Sequence, residues 1–205
     1  LLAKAEPMAA ERLPLFGIAD GAYHQHADHP GLMSKREVRI QLLAELDLPR
    51  DGVLWDLGAG TGSVGLEALR LQPALQLYAV ERRSGAVPLI QANAERLAVQ
   101  PAAVVQGDAC SLLSELPDPD RVLLGGGGAA RAELLAALLP RLRAGGVVVI
   151  PLATLEAVAE LRPVLEAHGL QVSLMQLQVS RGMPLAGGTR LAPLNPVLVL
   201  RGWRA

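Results

Sequence analysis

Three acidic residues stand at or just past the ends of apolar runs, and their order suggests what chemistry this chain can do. The first is Asp56, in Val53-Leu54-Trp55-Asp56-Leu57-Gly58-Ala59-Gly60-Thr61-Gly62. An apolar run bounded by glycine reads as a buried strand feeding a tight turn into a helix. Glycines at alternate positions let backbone approach a ligand closely or take positive φ. The helix opening near Gly62 then points free N–H groups and its positive end at the loop. A dinucleotide fingerprint, G-x-G-x-x-G, would put its third glycine at position 63, which is Ser63. A carboxylate two residues before the loop repels a pyrophosphate and suits a cationic ligand. The second acid, Glu81, ends Leu77-Tyr78-Ala79-Val80, and the third stands in Gly107-Asp108-Ala109 after Val104-Val105. Three strand ends in this order favour a ligand site over a glycine-rich turn with surface acids.

The loop resembles the first motif of S-adenosylmethionine-dependent methyltransferases, whose ligand carries an ammonium and a sulfonium. That resemblance implies S-adenosyl-L-methionine as cofactor, with Glu81 on the ribose hydroxyls and Gly107-Asp108-Ala109 at the adenine. Other chemistries lack their signatures: no metalloprotease His-Glu pair, no paired Cys-x-x-Cys and no Walker lysine occur. The Asn/Asp-Pro-Pro-aromatic tetrapeptide of many amino-methylating enzymes is replaced by Leu123-Leu124-Gly125-Gly126-Gly127-Gly128. Four glycines at a strand end offer room and N–H donors at a pocket mouth, or simply a flexible loop. His24, His26 and His29 fall within six residues but lack a fourth metal ligand, so a solvated or substrate-facing loop is expected and no metal.

The elements that must hold these residues alternate along the chain. After a weakly patterned arm to about Pro30, Ser34 and Glu37 have capping-box spacing at the head of a helix whose Val38, Leu42 and Leu46 share a face. Strands are expected at 53–57, 75–81, 102–106, 121–125 and 146–151. Helices are expected at 62–71, 84–97, 109–115, 129–142 and 154–168. Pro88 should make the 84–97 helix start late or bend. Two last apolar runs, 170–179 and 196–200, have no helix between them and should pair antiparallel. Repeated βα units imply a mostly parallel sheet with helices on both faces, where ligands sit beyond the carboxyl ends of the strands. The expected class is α/β: a Rossmann-like, class I methyltransferase sheet of seven strands with an antiparallel C-terminal pair. The division expected is an arm over 1–30 and a methyltransferase domain over 31–205.

Composition agrees. At 205 residues the chain is long enough for one sizeable core, and a net charge of -1 advertises no polyanion partner. Its five aromatic residues (one Phe, two Tyr, two Trp) are too few for a base-stacking platform. Only Lys4 and Lys35 are lysines, so 17 of the 19 basic residues are arginine, the side chain suited to carboxylates and phosphates. Cys110 is the single cysteine; it fits a reducing cytoplasm and reads as a small buried filler. No apolar run is long enough to span a membrane. Leu1 in place of methionine fits a fragment, a processed chain or a trimmed start.

From about Gly17 to Trp203 the chain resembles the precorrin methyltransferases of the cobalamin pathway, in particular those that methylate C15 and decarboxylate. The likeness rests on Gly17-Ile18-Ala19-Asp20, Ser34-Lys35-Arg36-Glu37-Val38-Arg39 and the Leu54–Gly62 loop. It rests also on the Gly125–Gly128 run and on Ser180-Arg181-Gly182, Gly188-Thr189-Arg190 and Asn195-Pro196-Val197. It implies methyl transfer to C15 of a tetrapyrrole (precorrin) and loss of carbon dioxide from its C12 acetate. In fused relatives a separate N-terminal half methylates C5; no second cofactor loop occurs here, so only the C15 chemistry is expected, with fusion to such a domain left open. The family commonly forms tetramers, which makes a homo-oligomer the expectation. Cofactor contacts implied are Ser34, Asp56, Gly58, Ala59, Gly60, Thr61, Gly62, Glu81, Asp108 and Ala109, with Ser34 alternatively a plain helix cap. Substrate contacts implied are Lys35, Arg39, Gly126, Gly127, Arg181 and Arg190, with Arg36 and Arg39 alternatively a solvated helix face. No catalytic acid or base is assigned. Competing readings are a methyltransferase on another small molecule or RNA, and a cofactor-binding module without activity; nucleic acid and membrane are not expected partners.

Overall fold

The computed structural model describes residues 2–3, 12–26, 33–126 and 128–204. A two-residue bridge joins β1 (Leu2–Ala3) to β2 (Gln25–His26). Then follow α1 (Arg36–Glu45), β3 (Asp51–Leu57), α2 (Ser63–Leu71), β4 (Ala74–Glu81), α3 (Ala86–Leu97), β5 (Ala103–Gln106) and the short α4 (Ala109–Leu112). The chain continues through β6 (Arg121–Leu124), α5 (Arg131–Leu138), β7 (Val147–Leu152), α6 (Leu155–Ala167), β8 (Gln171–Leu177), β9 (Ser180–Leu185), β10 (Gly188–Pro193) and β11 (Val197–Trp203). Seven strands form one sheet in the order β5-β4-β3-β6-β7-β11-β8. The first five are parallel, and β11 runs antiparallel between β7 and β8. The alternation read from the sequence is therefore the fold.

Strand periodicity explains the two-faced core. Successive side chains point to opposite faces of a strand, so Leu54 joins the layer under α1, α2 and α3, while Val53, Trp55 and Leu57 join the layer under α5 and α6. Both layers are needed because a parallel sheet buries both faces. The same alternation sends Asp56 to the α2 side with Leu54. Pro88 sits in the first turn of α3, because the helix starts late, at Ala86; there a missing N–H costs no helix bond.

One local expectation needs correction. α1 begins at Arg36 with Lys35 as its N-cap and no side-chain cap bond, so Ser34 and Glu37 form no capping box. Glu37 instead meets Arg181 from β9, with Oε2 to Nη2 at 2.5 Å. The two last apolar runs pair antiparallel as expected, β8 with β11, and the stretch between them is itself a hairpin, β9–β10, turning at Ala186 and Gly187. Both turn residues have positive φ (44° and 83°), the geometry of a type I′ turn whose twist matches antiparallel strands.

The opening segment packs onto the domain. Ile18, Ala22 and Tyr23 are buried in the layer beneath α1–α3. Among the described residues no helix is long and apolar enough to cross a membrane.

Candidate active site

The carboxyl ends of β3, β4, β5 and β6 open into a cleft of about 330 Å³, and the three acids meet there: Asp56, Glu81 and Asp108 all line it. So do Gly58, Ala59, Gly60, Thr61, Ala109 and Ser34. Gly62, the left-handed N-cap of α2 (φ 75°), closes the loop from behind, with its N–H on Ala59 O at 2.8 Å.

Hydrogen bonds fix the loop. Val80 O accepts from both Gly58 N (2.8 Å) and Ala59 N (3.1 Å), which ties the loop to the neighbouring strand. Glu81 is buried, and its two oxygens divide the work: Oε2 accepts from Gly60 N at 2.9 Å, and Oε1 from Arg83 N at 3.1 Å. At Gly60 a Cβ would meet nothing within 4 Å, and φ is +59°, so the bare backbone at that point faces open space. Asp56 receives the Gly65 N–H at 3.2 Å from the first turns of α2. Burial pushes the Asp56 carboxyl up to about 7; the Gly65 N–H opposes this and the nearby Glu81 charge adds to it. A cation arriving in the cleft would restore the carboxylate. Thr61 Oγ1 is buried with no partner among the described residues, an acceptor and donor left over on the cleft wall. Asp108 is exposed and caps the short α4, accepting from Ser111 N at 3.4 Å.

The far wall is the glycine run. Gly125, Gly126 and Gly128 line the cleft; Gly127 lies outside the described residues. The run supplies room, but the expected free donors at 125 and 126 are already used. Both N–H groups go to Leu57 O, at 2.9 and 3.0 Å. Cys110 is not a buried filler: it is exposed at the cleft. Its partial burial, then Asp108 and Glu133, push the thiol up from its ordinary range.

The expected substrate cations do not gather here. Arg39 is fully buried and its guanidinium is spent on the protein. Nε donates to Glu67 Oε1 at 2.8 Å, Nη1 to Asp20 Oδ1 at 2.8 Å and Ser34 O at 2.6 Å, and Nη2 to Ile18 O. That corrects the assignment of Arg39 as a substrate clamp, because burial plus four internal acceptors leaves no donor turned outward. Arg181 faces Glu37 and Asp20. Lys35 and Arg190 are not among the cleft-lining residues, and Arg190 is exposed on β10. In their place the structure brings Arg82, Arg83 and Arg131 to the cleft.

A buried polar layer behind the loop also escaped the sequence reading. Glu67 on α2 accepts from Gly17 N (2.5 Å), Tyr23 OH (2.6 Å) and Arg39. Asn93 on α3 joins His24 to the loop, donating to Thr61 O at 2.9 Å and accepting from His24 N at 2.8 Å. A signal existed: Glu67 interrupts Val64-Gly65-Leu66 and Ala68-Leu69, and a charge in so apolar a helix needs a buried partner. Among the described residues no cluster of His, Cys, Asp and Glu has metal-site geometry; His29 and the His26 side chain lie outside them.

Comparison with known proteins shows the family. Residues 25–204 match the family described as the precorrin methyltransferase domain. A relative from Pyrobaculum aerophilum, described as "Probable cobalt-precorrin-6B C(15)-methyltransferase (decarboxylating)", is 36% identical over 173 residues, 83% of this chain and 88% of that protein. A precorrin-6Y C(5,15)-methyltransferase (decarboxylating) of a Sinorhizobium species is 34% identical over 194 residues, 94% of this chain but 46% of that longer protein. The crystal structure of precorrin-6y C5,15-methyltransferase from Geobacter metallireducens superposes with a TM-score of 0.87 at 32% identity, covering 94% of this chain and 100% of that one. More distant S-adenosylmethionine-dependent methyltransferases share the fold alone. With a Rossmann-like class I sheet, a glycine loop at its carboxyl edge and likeness over nearly its whole length, this chain belongs to the precorrin methyltransferase family.

Proposed function

We propose that the protein binds S-adenosyl-L-methionine in the cleft, methylates C15 of a precorrin and decarboxylates its C12 acetate. The observation that carries this reading is the division of the cleft into an acidic wall (Asp56, Glu81, Asp108) and an open glycine wall (Gly125, Gly126, Gly128). The first wall suits a cationic donor with hydroxyls; the second admits a flat, bulky ring. The residues fit the donor. Gly60 offers a backbone surface with no atom near its Cβ position, and Thr61 Oγ1 is a buried hydroxyl awaiting a partner. When bound, S-adenosyl-L-methionine supplies an electrophilic methyl group.

The chain's own task is placement. Glu81 holds the loop through Gly60 N, and Asp56 lies behind it within reach of charge rather than of solvent. Ser34, Asp108 and Ala109 complete the proposed donor contacts. The ring carbon is nucleophilic already, so no strong base is required and alignment supplies the acceleration, about 7–11 kcal/mol at best. Exclusion of water by the bound ring would favour loss of carbon dioxide from an acetate held there. Gly126 is proposed to face the ring, and Gly127, which lies outside the described residues, is proposed as a further substrate contact. Lys35, beside Ser34, and Arg190, on the hairpin face that carries Arg181, are proposed as outer contacts to its carboxylates.

The domain division at residue 30, a cytoplasmic location and self-association belong to the same proposal. Exposed Met183, Leu185 and Leu191 on the β9–β10 hairpin support self-association, and size measurement in solution tests it. Fusion to a C5-methylating half is supported by the longer Sinorhizobium relative. The function is tested by incubating the protein with precorrin-6B, with and without cobalt, and methyl-labelled donor. Label should enter the tetrapyrrole; active, folded protein that leaves it unlabelled contradicts the proposal. RNA as acceptor is disfavoured by the few aromatics and the absence of a basic surplus.

A further inference from the structure

We infer that Arg131 anchors a carboxylate of the substrate inside the cleft and so helps select the polycarboxylate ring. This rests on the methyl-transfer function proposed above. Arg131 opens α5 directly after the glycine run and lines the cleft. Its Nε donates to Gly126 O at 2.7 Å, which holds the guanidinium against the wall where a ring would lie. Its terminal nitrogens make no ion pair among the described residues.

Arg82 also lines the cleft without an ion pair among the described residues, but no hydrogen bond holds its side chain as Gly126 O holds Arg131. The other arginines near the site are paired. Arg39 faces Asp20 and Glu67, Arg83 faces Glu81, and Arg181 faces Glu37 and Asp20. Arg131 makes no ion pair with any of the three acids that line the same cleft. An unpaired cation there opposes the binding of a sulfonium and an ammonium unless an anion enters too. A guanidinium already held by one nitrogen presents its remaining donors as a planar fork, the geometry that a carboxylate matches with two bonds. Little side-chain freedom is then left to lose on binding.

The anion is a carboxylate, and the methyl donor carries one as well as the tetrapyrrole, so the test needs two arms. Arg131→Gln and Arg131→Lys are made in the full chain. KM for precorrin-6B is measured at saturating donor, and calorimetry gives Kd for S-adenosylhomocysteine. The expected result for Arg131→Gln is a KM raised about tenfold or more, with the Kd changed by less than about twofold, the loss of one charge-assisted contact. Arg131→Lys should recover part of the loss, since it keeps the charge and gives up the fork. An unchanged KM overturns the inference, and so does a Kd that rises as much as KM, which assigns Arg131 to the donor's own carboxylate. Thermal unfolding identifies a variant that fails to fold; the lysine variant then carries the same comparison. If the unaltered protein binds S-adenosylhomocysteine but never turns over precorrin-6B, the proposed function fails and Arg131 as its anchor with it. An active enzyme with an indifferent Arg131→Gln variant overturns the anchor alone.

Discussion

Gly58 and Gly126 meet backbone to backbone: a Cβ added to Gly58 would lie 2.4 Å from both N and Cα of Gly126. The donor loop after β3 and the glycine run after β6 are thus packed on each other, and the two walls of the cleft share one seam. Neither glycine can take a side chain without parting them.

Gly58→Ala therefore disturbs both halves of the site. The residue sits at φ +81°, where an alanine costs about 1–2 kcal/mol before any clash. The clash is with backbone, which cannot rotate aside. Loss of nearly all methyl transfer is expected, with a lower thermal midpoint. Gly60→Ala, which meets nothing within 4 Å, should lose less stability and more donor affinity. The pair is compared by calorimetry with S-adenosylhomocysteine and by thermal unfolding.

Donor affinity should depend on pH through Asp56. Burial raises its carboxyl from an ordinary 3.8 to about 7 in the folded chain. The folded state therefore binds this proton more tightly than the unfolded state, and the contribution of Asp56 to stability falls as pH rises from 3.8 to about 7. For a cationic ligand the sign is opposite: below about 7 the site must lose a proton to bind, so affinity should rise up to roughly tenfold per pH unit and level off above. Asp56→Asn should flatten the profile. Calorimetry in buffers of different ionisation heat would also show a proton released on binding near pH 6; no release contradicts the assignment.

Glu67→Ala should destabilise the protein strongly. It leaves Arg39 fully buried with one carboxylate fewer, and Tyr23 OH with only the long contact to Ser63 O at 3.5 Å. Removing one partner of a buried pair costs about 3–5 kcal/mol, about 10 °C in thermal midpoint for a domain of this size. Glu67→Gln, which retains an acceptor, should lose less. Denaturant unfolding of the two variants checks the order.

Arg190→Ala separates outer substrate contacts from the donor site. The side chain is exposed and makes no ion pair among the described residues. KM for the tetrapyrrole should rise several-fold with Kd for S-adenosylhomocysteine unchanged. Equal loss of both contradicts an outer contact.

Much of this site could be read from the chain because local rules and the global fold agree. Asp56, Glu81 and Asp108 close their apolar runs, so any parallel sheet brings them to one edge. Arg39 could not be read that way. Its place one turn into α1 suits a solvated face, a clamp or a buried pair alike, and only the packing of Glu67 and Asp20 against it decides. Arg131 escaped for a related reason: it looks like an ordinary first-turn residue until the glycine run is seen folded back on Gly58. The β9–β10 hairpin hid because its strands alternate weakly, Ser180-Arg181-Gly182-Met183 and Gly188-Thr189-Arg190-Leu191, although Ala186-Gly187 carries turn chemistry.

The mass of the product tests the methyl transfer and decarboxylation most directly. Precorrin-6B, in its metal-free and cobalt forms, is incubated with the protein and S-adenosyl-L-methionine, and the tetrapyrrole is weighed by mass spectrometry. The account predicts a product that has gained one methyl in place of hydrogen and lost one carbon dioxide in place of which it holds a proton. A tetrapyrrole recovered with its starting mass, from protein shown to bind the donor, would contradict it.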